Sequence, residues 1–420
     1  MALLLKNGRV FVSGHFETCD VLIEGETIAA VGADLACGNA EVVDCAGKIV
    51  VPGLTDMHVH LREPGFEYKE TIKTGSMAAA RGGFTTVCPM PNLNPVPDSL
   101  EHLRRELDII NKDAVIHVLP FAAITVGEKG QKLSDIEDMA PYCIGFSDDG
   151  KGVQKGEMME EAMRRVRACG SFISAHCEDE SLLEGGAIHK GEYARLHGMK
   201  GISSESETAP IVRDIQLAVK TGCRYHVDHI SAKESIEAVR QGKAMGAPVT
   251  CEATPHHIAL CDMDITEDSG RFKMNPPLRD ASDREAIRKG LQDGTIDVIA
   301  TDHAPHSAEE KARGLEKSAF GTVGSETAFS VCYTTLVLGH VLTLEQLIEK
   351  MAVNPARLLG RRAVIAPGEA ADLAVFDLER DYVVDPADFL SMGRSTPFEG
   401  RTLYGVTELT VCGGRVVYQR

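Results

Sequence analysis

The sequence lacks the features that would direct a protein into or across a membrane. No apolar run approaches the ~18 residues that a membrane-spanning helix needs. Residues 1–6 contain neither a charged lead nor a cleavage site, so they do not resemble a signal peptide. We therefore expect a cytoplasmic protein with no membrane partner.

Basic side chains are also scarce. The 44 lysines and arginines are outnumbered by 62 aspartates and glutamates, and the formal net charge is −18. Such a charge argues against nucleic acids and anionic membranes as partners. It is compatible with a small anionic substrate, which needs only a local cation in its binding site.

The 12 cysteines never occur in the C-x-x-C spacing. This absence counts against a thiolate zinc site or a redox pair, and we expect reduced cysteines in the core. The hydrophobic share of 43% and the charged share of 25% are those of an ordinary globular protein. A chain of 420 residues is long enough for one large domain and a smaller one.

The middle of the chain alternates strand-like apolar runs with amphipathic helical runs, as parallel α/β proteins do. Eight strands are predicted at 54–60, 85–88, 115–121, 143–147, 171–176, 225–230, 249–252 and 297–301. Helices are predicted at 67–81, 98–112, 156–169, 205–221, 232–245, 281–293, 325–338 and 343–352. This order fits a (β/α)₈ TIM barrel over residues 53–364. An open doubly wound sheet is the weaker alternative, because no Gly-rich phosphate loop follows the first strand.

Both ends of the chain consist of short strand-like runs separated by turns such as Asn7-Gly8. The runs are 3–5, 9–12, 20–24, 27–31, 41–44 and 49–51, then 373–377, 382–384, 403–406 and 408–418. We predict a small composite β-sandwich domain formed by residues 1–52 with 365–420. Two unrelated hairpins are the alternative, which is weaker because each alone would bury little.

Asp56, His58 and His60 are spaced two residues apart on the first predicted barrel strand. Residues two apart on a strand point to the same side, so the two imidazoles can hold one metal ion. Paired histidines also occur on ordinary half-buried strands, and the motif therefore needs support from its surroundings.

Metal-binding residue types also end four other predicted barrel strands. Asp148 and Asp149 follow the fourth strand, His176 ends the fifth, His229 the sixth and Asp302 the eighth. The carboxyl ends of the strands of a closed barrel meet at one mouth. We therefore expect these side chains to converge with the two histidines of the first strand.

Four imidazoles and two carboxylates suit a centre of two metal ions, zinc being the expected metal. Such a pair can share one water, lower its pKa from ~15.7 to near 7 and polarise a carbonyl oxygen. Asp302 can take the proton as hydroxide attacks and return it to a leaving nitrogen, a contribution of roughly 10²–10⁴-fold. The residues alone do not decide between Asp148 and Asp149 as a ligand.

Together these motifs resemble the amidohydrolase superfamily, metal-dependent hydrolases built on a (β/α)₈ barrel with a small β-sandwich from both termini. The match is narrower at 58–65, 90–92, 145–150, 275–279 and 302–306, where the sequence resembles the bacterial dihydroorotases. Many relatives bridge their metals with a carboxylated lysine, but here the fourth strand offers no lysine before Lys151. This resemblance favours Asp149 as the bridge and implies six metal ligands: His58, His60, Asp149, His176, His229 and Asp302.

The resemblance also implies the reaction, the reversible interconversion of dihydroorotate and N-carbamoyl-aspartate in pyrimidine synthesis. It implies substrate contacts from His60, Arg62, Asn92, Asn275, His306, Phe320 and Gly321. Arg62 suits the substrate carboxylate because a guanidinium can bind it bidentately. The alternatives are a surface salt bridge for Arg62, turn positions for the two asparagines, and a solvated loop position for His306.

Three further expectations follow from the sequence and the resemblance. The polar segment 307–321 is predicted to be a lid over the barrel mouth, with an inert surface excursion as the alternative. The protein is expected to be a homodimer, and aspartate transcarbamoylase is the protein partner that we consider. The competing functions are another cyclic amidase, such as a hydantoinase, dihydropyrimidinase or allantoinase, and a silent partner subunit of the transcarbamoylase.

Overall fold

The computed structural model describes residues 2–36 and 38–420. Its strands are β1 Ala2–Val12, β2 His15–Glu24, β3 Thr27–Gly32, β4 Glu41–Asp44, β5 Ile49–Pro52, β6 Leu54–Val59, β7 Phe84–Pro89, β8 His117–Val118, β9 Ala122–Ala123, β10 Phe146–Ser147, β11 Phe172–Ala175, β12 Ile188–His189, β13 Gly201–Ile202, β14 Arg224–Val227, β15 Val249–Ala253, β16 Val298–Ile299, β17 Leu373–Val383, β18 Thr402–Cys412 and β19 Arg415–Gln419.

The α-helices are α1 Ile72–Arg81, α2 Leu100–Asp113, α3 Ile136–Met139, α4 Gly156–Ala168, α5 Glu192–His197, α6 Glu205–Thr221, α7 Lys233–Ala244, α8 Pro255–Ala259, α9 Ala281–Asp293, α10 Ala308–Lys311, α11 Gly314–Lys317, α12 Ala328–Cys332, α13 Leu344–Ile348 and α14 Asn354–Leu358. Two π-helical turns continue α12 and α13, at Tyr333–Val337 and Glu349–Val353.

The middle of the chain forms the predicted (β/α)₈ barrel. Strands β6, β7 and β8 pair in parallel, and β9, β10, β11, β14, β15 and β16 form the rest of the wall. The third barrel strand is split in two: β8 pairs with β7, and β9 pairs with β10. A parallel bridge between Val59 and His303 joins the first strand to the end of the eighth. This closure excludes the open doubly wound sheet.

Most of the predicted helices are present with small shifts at their ends, but three differ more. The helix predicted at 67–81 begins at Ile72, because Thr71 caps it in a capping box with Thr74. The helices predicted at 325–338 and 343–352 are each a short α-helix followed by a π-helical turn. By contrast, α9 has the predicted bounds, with Asp280 as its N-cap and the left-handed Gly294 as its C-cap.

Strands from both termini form one sheet of eight strands, in the order β19-β18-β17-β5-β1-β2-β3, with β4 added along β1. Strand β5 from the N-terminal part pairs with β17 from the C-terminal part, so the alternative of two unrelated hairpins is wrong. The sheet has an apolar core of its own, which includes Leu3, Val10, Val21, Ile23, Val50, Leu373, Val375 and Val411. The domain boundaries at residues 52 and 365 stay predictions.

Several short strands predicted at the termini belong to longer strands. Runs 3–5 and 9–12 are both part of β1, where Asn7-Gly8 forms a bulge rather than a turn. Asn7 has a φ of 62°, and a Cβ on Gly8 would lie 2.7 Å from Val50 Cγ2. Runs 373–377 and 382–384 join in β17, whereas the run 408–418 is broken by the turn at Gly413 and Gly414.

The cysteines and the lengths of the helices were both addressed by the sequence analysis. The eleven cysteines that the structure describes are free thiols, and nine of them are buried, as expected for core residues. Within the described residues, no helix combines the length and the apolar character needed to cross a membrane.

The terminal sheet packs on the barrel through an aromatic contact. Phe376 on β17 is fully buried, and its ring stacks on that of Phe329 in α12 with 3.8 Å between the centroids. Gly83 precedes barrel strand β7 and lies below the same ring, where a Cβ would come within 2.4 Å of Phe376 Cζ. The glycine and the two rings are therefore closely packed where the terminal sheet meets the barrel.

We expect Phe376→Ala to destabilise the protein by about 3–5 kcal/mol, because it removes a fully buried ring and leaves a cavity at this junction. Thermal and urea unfolding would measure the change. Val383→Ala is the control on the same strand, since Val383 is 59% exposed and its truncation should change stability by less than about 0.5 kcal/mol. Equal effects of the two substitutions would show that the aromatic contact does not hold the sheet to the barrel.

Candidate metal centre

The carboxyl ends of the barrel strands surround a cavity of about 230 Å³. Eleven of the twelve site residues predicted from the sequence line it: His60, Arg62, Asn92, Asp149, His176, His229, Asn275, Asp302, His306, Phe320 and Gly321. The twelfth, His58, is fully buried beside them. The structure therefore brings these twelve residues together in one place.

Strand β6 and the end of the eighth strand are connected directly below the cavity. His60 N donates to His303 O at 2.8 Å. The Asp56 carboxylate accepts from Thr301 N at 2.9 Å and Thr301 Oγ1 at 2.6 Å. Asp56 shares a strand with the metal-type histidines, but its carboxylate fastens the neighbouring strand instead of joining their cluster.

Asp149 lies between two pairs of histidines. On one side, His58 Nε2 is 3.4 Å from Asp149 Oδ1, and His60 Nε2 is 3.6 Å from Oδ2. On the other side, His176 Nδ1 and His229 Nε2 lie 3.7 and 3.8 Å from Oδ1. One carboxylate thus faces four imidazoles that belong to three different barrel strands.

Asp302 completes the first side of the cluster. Its Oδ1 is 3.1 Å from His60 Nε2 and 3.6 Å from His58 Nε2. Burial alone would raise the pKa of the Asp302 carboxyl, but the hydrogen bond from His60 and the neighbouring histidines lower it well below its usual value. Asp302 is therefore held as a carboxylate.

The polar atoms at the middle of the cluster lack hydrogen-bond partners. His58 Nε2 and Asp149 Oδ1 are both fully buried and unpaired within the described part of the chain, an arrangement that is costly for a protein without a further ligand. Imidazole nitrogens and carboxylate oxygens are the donors that zinc and similar divalent ions take. The residues fit two ions: one among His58, His60 and Asp149, and one among Asp149, His176 and His229.

The structure separates the two adjacent aspartates that the sequence analysis left open. Asp148 turns away from the histidines: its Oδ1 accepts from Ile124 N at 2.8 Å and Thr125 N at 2.9 Å, and its Oδ2 accepts from Thr125 Oγ1. Asp148 thus fixes the loop after the third barrel strand, while Asp149 faces the cluster.

Arg62 and His306 line one side of the cavity, where Arg62 supplies a positive charge. Arg62 has a φ of 61° and donates from Nε to Pro305 O at 3.2 Å, so its guanidinium is fixed beside the cluster. Burial and the nearby Arg62 and Lys69 lower the pKa of His306 to about 3, so this imidazole is neutral. His306 Nε2 donates to Phe320 O at 2.8 Å, and its Nδ1 lies 3.2 Å from Lys69 Nζ.

The two predicted asparagines have partners inside the site. Asn92 Oδ1 is 2.9 Å from His60 Nδ1, and Asn92 Nδ2 donates to Asp149 Oδ2 at 3.0 Å. Asn275 Nδ2 donates to Glu178 Oε1 at 2.9 Å. Both amides therefore orient side chains of the cluster or its rim, and their contact with substrate stays a prediction.

The segment predicted to be a lid is folded against the cavity through a buried lysine. Lys311 Nζ donates to the carbonyls of Lys273, Ala319 and Gly321 at 3.0, 2.7 and 2.6 Å. Helices α10 and α11 make up most of the segment. Its motion as a lid stays a prediction.

A set of charged residues around the cluster was not predicted from the sequence. Glu178 at the rim is one of them, and Asp228, Glu252 and His226 lie inside the barrel below His58. A charged residue within an otherwise apolar strand, as Glu252 is in β15, was the available signal. The segment 179–206, between β11 and α6, is anchored by Arg279, which donates to Ile202 O at 3.2 Å.

Comparison with known proteins gives a consistent picture. A family model described as "Dihydro-orotase-like" matches residues 47–235. A dihydroorotase of Fusobacterium nucleatum is 49% identical over 99% of this chain and 98% of its own length. One of Bacillus cytotoxicus is 47% identical over 100% and 99%. Among solved structures, an L-hydantoinase (dihydropyrimidinase) of Arthrobacter aurescens has a TM-score of 0.89 and 26% identity, covering 99% of this chain and 96% of its own.

The closed barrel, the terminal sheet and the cluster of histidines and carboxylates at the barrel mouth define a hydrolase of the amidohydrolase class. Within that class the level of identity, sustained over the whole chain, decides the family: the chain belongs to the dihydroorotases. The resemblance noted from the sequence is thereby confirmed.

The different surroundings of Asp148 and Asp149 lead to a prediction. Asp149→Asn removes the negative charge between the two histidine pairs, so metal content after purification without chelator should fall below that of the wild type. Asp148→Asn should keep its metal and lose about 1–3 kcal/mol of stability, because it weakens bonds to buried donors. Elemental analysis and thermal unfolding of both variants would test this. Metal loss in the Asp148 variant alone would reverse the assignment.

Proposed function

We propose that this protein catalyses the reversible conversion of dihydroorotate to N-carbamoyl-L-aspartate in pyrimidine biosynthesis, using two divalent ions, zinc by preference. The observation that carries the proposal is that Arg62 lines the same cavity as the Asp149 cluster. A carboxylate-binding cation thus lies beside a centre suited to hydrolysing a cyclic amide. We also propose a cytoplasmic homodimer, with aspartate transcarbamoylase as a candidate partner.

In this proposal His58, His60, Asp149, His176 and His229 hold the ions, and Asp302 completes the ligand set. Ions bound there would supply a water activated at neutral pH and polarise the amide carbonyl. Asp302 is a carboxylate at the edge of the cluster and can accept the proton that the attacking water loses. It then donates this proton to the ring nitrogen as the amide bond breaks, which balances the reaction. In the cyclisation direction Asp302 takes the proton back.

The remaining cavity residues would orient the substrate. Arg62 would bind the substrate carboxylate, and the His306 imidazole beside Arg62 is neutral. Asn92, Asn275, Phe320 and Gly321 line the cavity at positions where they could contact the ring. Holding the reacting groups in this way converts a bimolecular step into an effectively unimolecular one.

A hydantoinase or dihydropyrimidinase activity is the second candidate, favoured by the close structural likeness to the hydantoinase of Arthrobacter aurescens. Its substrates lack the carboxylate that Arg62 would bind, which is why we favour dihydroorotate. A silent partner subunit is disfavoured, because the complete set of candidate metal ligands converges at one cavity.

The proposal predicts that protein purified without chelator contains close to two divalent ions per chain, zinc the most abundant, and turns over dihydroorotate faster than hydantoin or 5,6-dihydrouracil. Removing the ions should abolish turnover, and adding zinc back should restore it. Elemental analysis combined with assays on the three substrates tests both parts. An active protein without metal, or one that prefers dihydrouracil, would refute the proposal.

Arg62→Met should impair turnover of dihydroorotate selectively. A bidentate bond between guanidinium and carboxylate is worth roughly 1.5–3 kcal/mol, so kcat/KM should fall on the order of 10–150-fold. Any turnover of dihydrouracil, which lacks the carboxylate, should change little, and both ions should remain. Loss of metal, or an equal loss on both substrates, would instead assign Arg62 to holding the site together.

A further inference from the structure

Below the cavity, a chain of polar side chains runs through the barrel interior from the buried His58 to the half-buried Thr250. His58 Nδ1 is 3.0 Å from Glu252 Oε1. The other oxygen of that carboxylate, Oε2, is 3.2 Å from His226 Nε2, and His226 Nδ1 is 2.8 Å from Thr250 Oγ1. Glu252 is completely buried and does not line the cavity.

We propose that Glu252 is a positioning residue that fixes the orientation and tautomer of the His58 ring, and that it thereby controls retention of the ion on the His58 side of Asp149. This inference rests on the metal-ligand role proposed for His58. It adds a residue outside the cavity that touches neither ion nor substrate but acts through a ligand.

The two nitrogens of the His58 ring have different surroundings. When Nδ1 donates its proton to the Glu252 carboxylate, Nε2 is left with a free lone pair. Nε2 points to the cluster, 3.4 Å from Asp149 Oδ1 and 3.6 Å from Asp302 Oδ1, and has no hydrogen-bond partner. Only a deprotonated Nε2 can bind a metal ion there, so the bond to Glu252 selects the competent tautomer.

Asp228 is the other carboxylate near His58, but its geometry excludes it as the partner. Asp228 Oδ2 lies 3.9 Å from His58 Nδ1, beyond hydrogen-bond distance. Its Oδ1 accepts from Ser174 Oγ. Glu252, by contrast, is held by His226 and sits on β15, which pairs with strands on both sides. The acceptor for His58 is therefore rigid.

The effect should be specific to one ion. His60 Nδ1 meets the neutral amide oxygen of Asn92 at 2.9 Å. On the other side, Glu178 Oε2 is 3.7 Å from His176 Nε2, too far for a hydrogen bond. Of the ring nitrogens of His58, His60 and His176 that face away from Asp149, only His58 Nδ1 has a carboxylate within hydrogen-bond distance among the described residues. The ion beside His58 should then depend on Glu252, and the ion beside His176 and His229 should not.

The test is the rate at which a chromophoric chelator removes zinc from the fully loaded protein. Glu252→Gln keeps the shape of the side chain but removes its charge, and Glu252→Leu removes the acceptor as well. Loss of such an outer partner typically lowers metal affinity 10–100-fold. We expect one of the two ions to leave about tenfold faster in the Gln variant and up to about 100-fold faster in the Leu variant, with the second ion unchanged.

Glu106→Gln is the control matched in burial. Glu106 is 2% exposed on α2, in the outer helical layer of the barrel, and its Oε2 has no hydrogen-bond partner. This variant should release both ions at the wild-type rate. A second readout is thermal unfolding of the metal-free and loaded forms, because a purely structural role of Glu252 would lower the Tm of both forms equally. Positioning instead reduces the rise in Tm that metal produces.

The outcomes separate this inference from the proposed function. A wild-type protein that takes up no divalent ion overturns the proposed function and this inference with it. A wild type that holds two ions, with a folded Glu252→Gln variant that releases both at the wild-type rates, overturns the positioning role alone. Faster release of both ions to the same extent also overturns it, because the contact is made to one ligand only.

Discussion

The closure of the barrel between its first and last strands is the constraint on which the rest of the structure depends. The buried Asp56 carboxylate accepts two hydrogen bonds from Thr301. Further along the same two strands, His60 N donates to His303 O. Without this join, His58 and His60 at one end of the domain and Asp302 at the other would not meet. Burial raises the pKa of Asp56 to about 7 even though both bonds to Thr301 favour its charged form. Burying the Asp56 carboxylate that closes the barrel therefore costs free energy, and its hydrogen bonds to Thr301 are needed to offset this cost.

Closure also concentrates charged and polar side chains in a small, buried volume. Four imidazoles, Asp149 and Asp302 converge at the mouth, and Glu252 and Asp228 lie directly beneath them. Unpaired polar groups at such depth cost free energy, and the unsatisfied His58 Nε2 and Asp149 Oδ1 show where the cost falls. Divalent ions would offset this cost by binding to these atoms, so metal binding is expected to stabilise the folded protein.

Much of the fold and of the site was predictable from the sequence because the information is local. The spacing of His58 and His60 follows from strand periodicity, and the other candidate ligands each end an apolar run. What the sequence could not supply depends on which strands become neighbours. The contact of Glu252 with His58 joins residues 194 positions apart, and the separate directions of Asp148 and Asp149 depend on the loop that Asp148 fixes. Asn7-Gly8 is a turn by composition, yet pairing of β1 with both β2 and β5 makes it a bulge.

Three residues of the candidate site hold a backbone conformation that side chains other than glycine rarely adopt. Arg62, His229 and Asp302 have φ values of 61°, 31° and 48°. Each lies two or three residues beyond the end of a barrel strand, and its side chain lines the cavity. Such conformations cost of order 1–3 kcal/mol each and persist only where the surroundings determine them. Here the surroundings are the closed barrel: Arg62 is fixed by the Pro305 carbonyl, and Asp302 follows the Thr301 that Asp56 binds. The hydrogen bonds at the closure of the barrel therefore also hold the strained backbone of Arg62 and Asp302, whose side chains line the cavity.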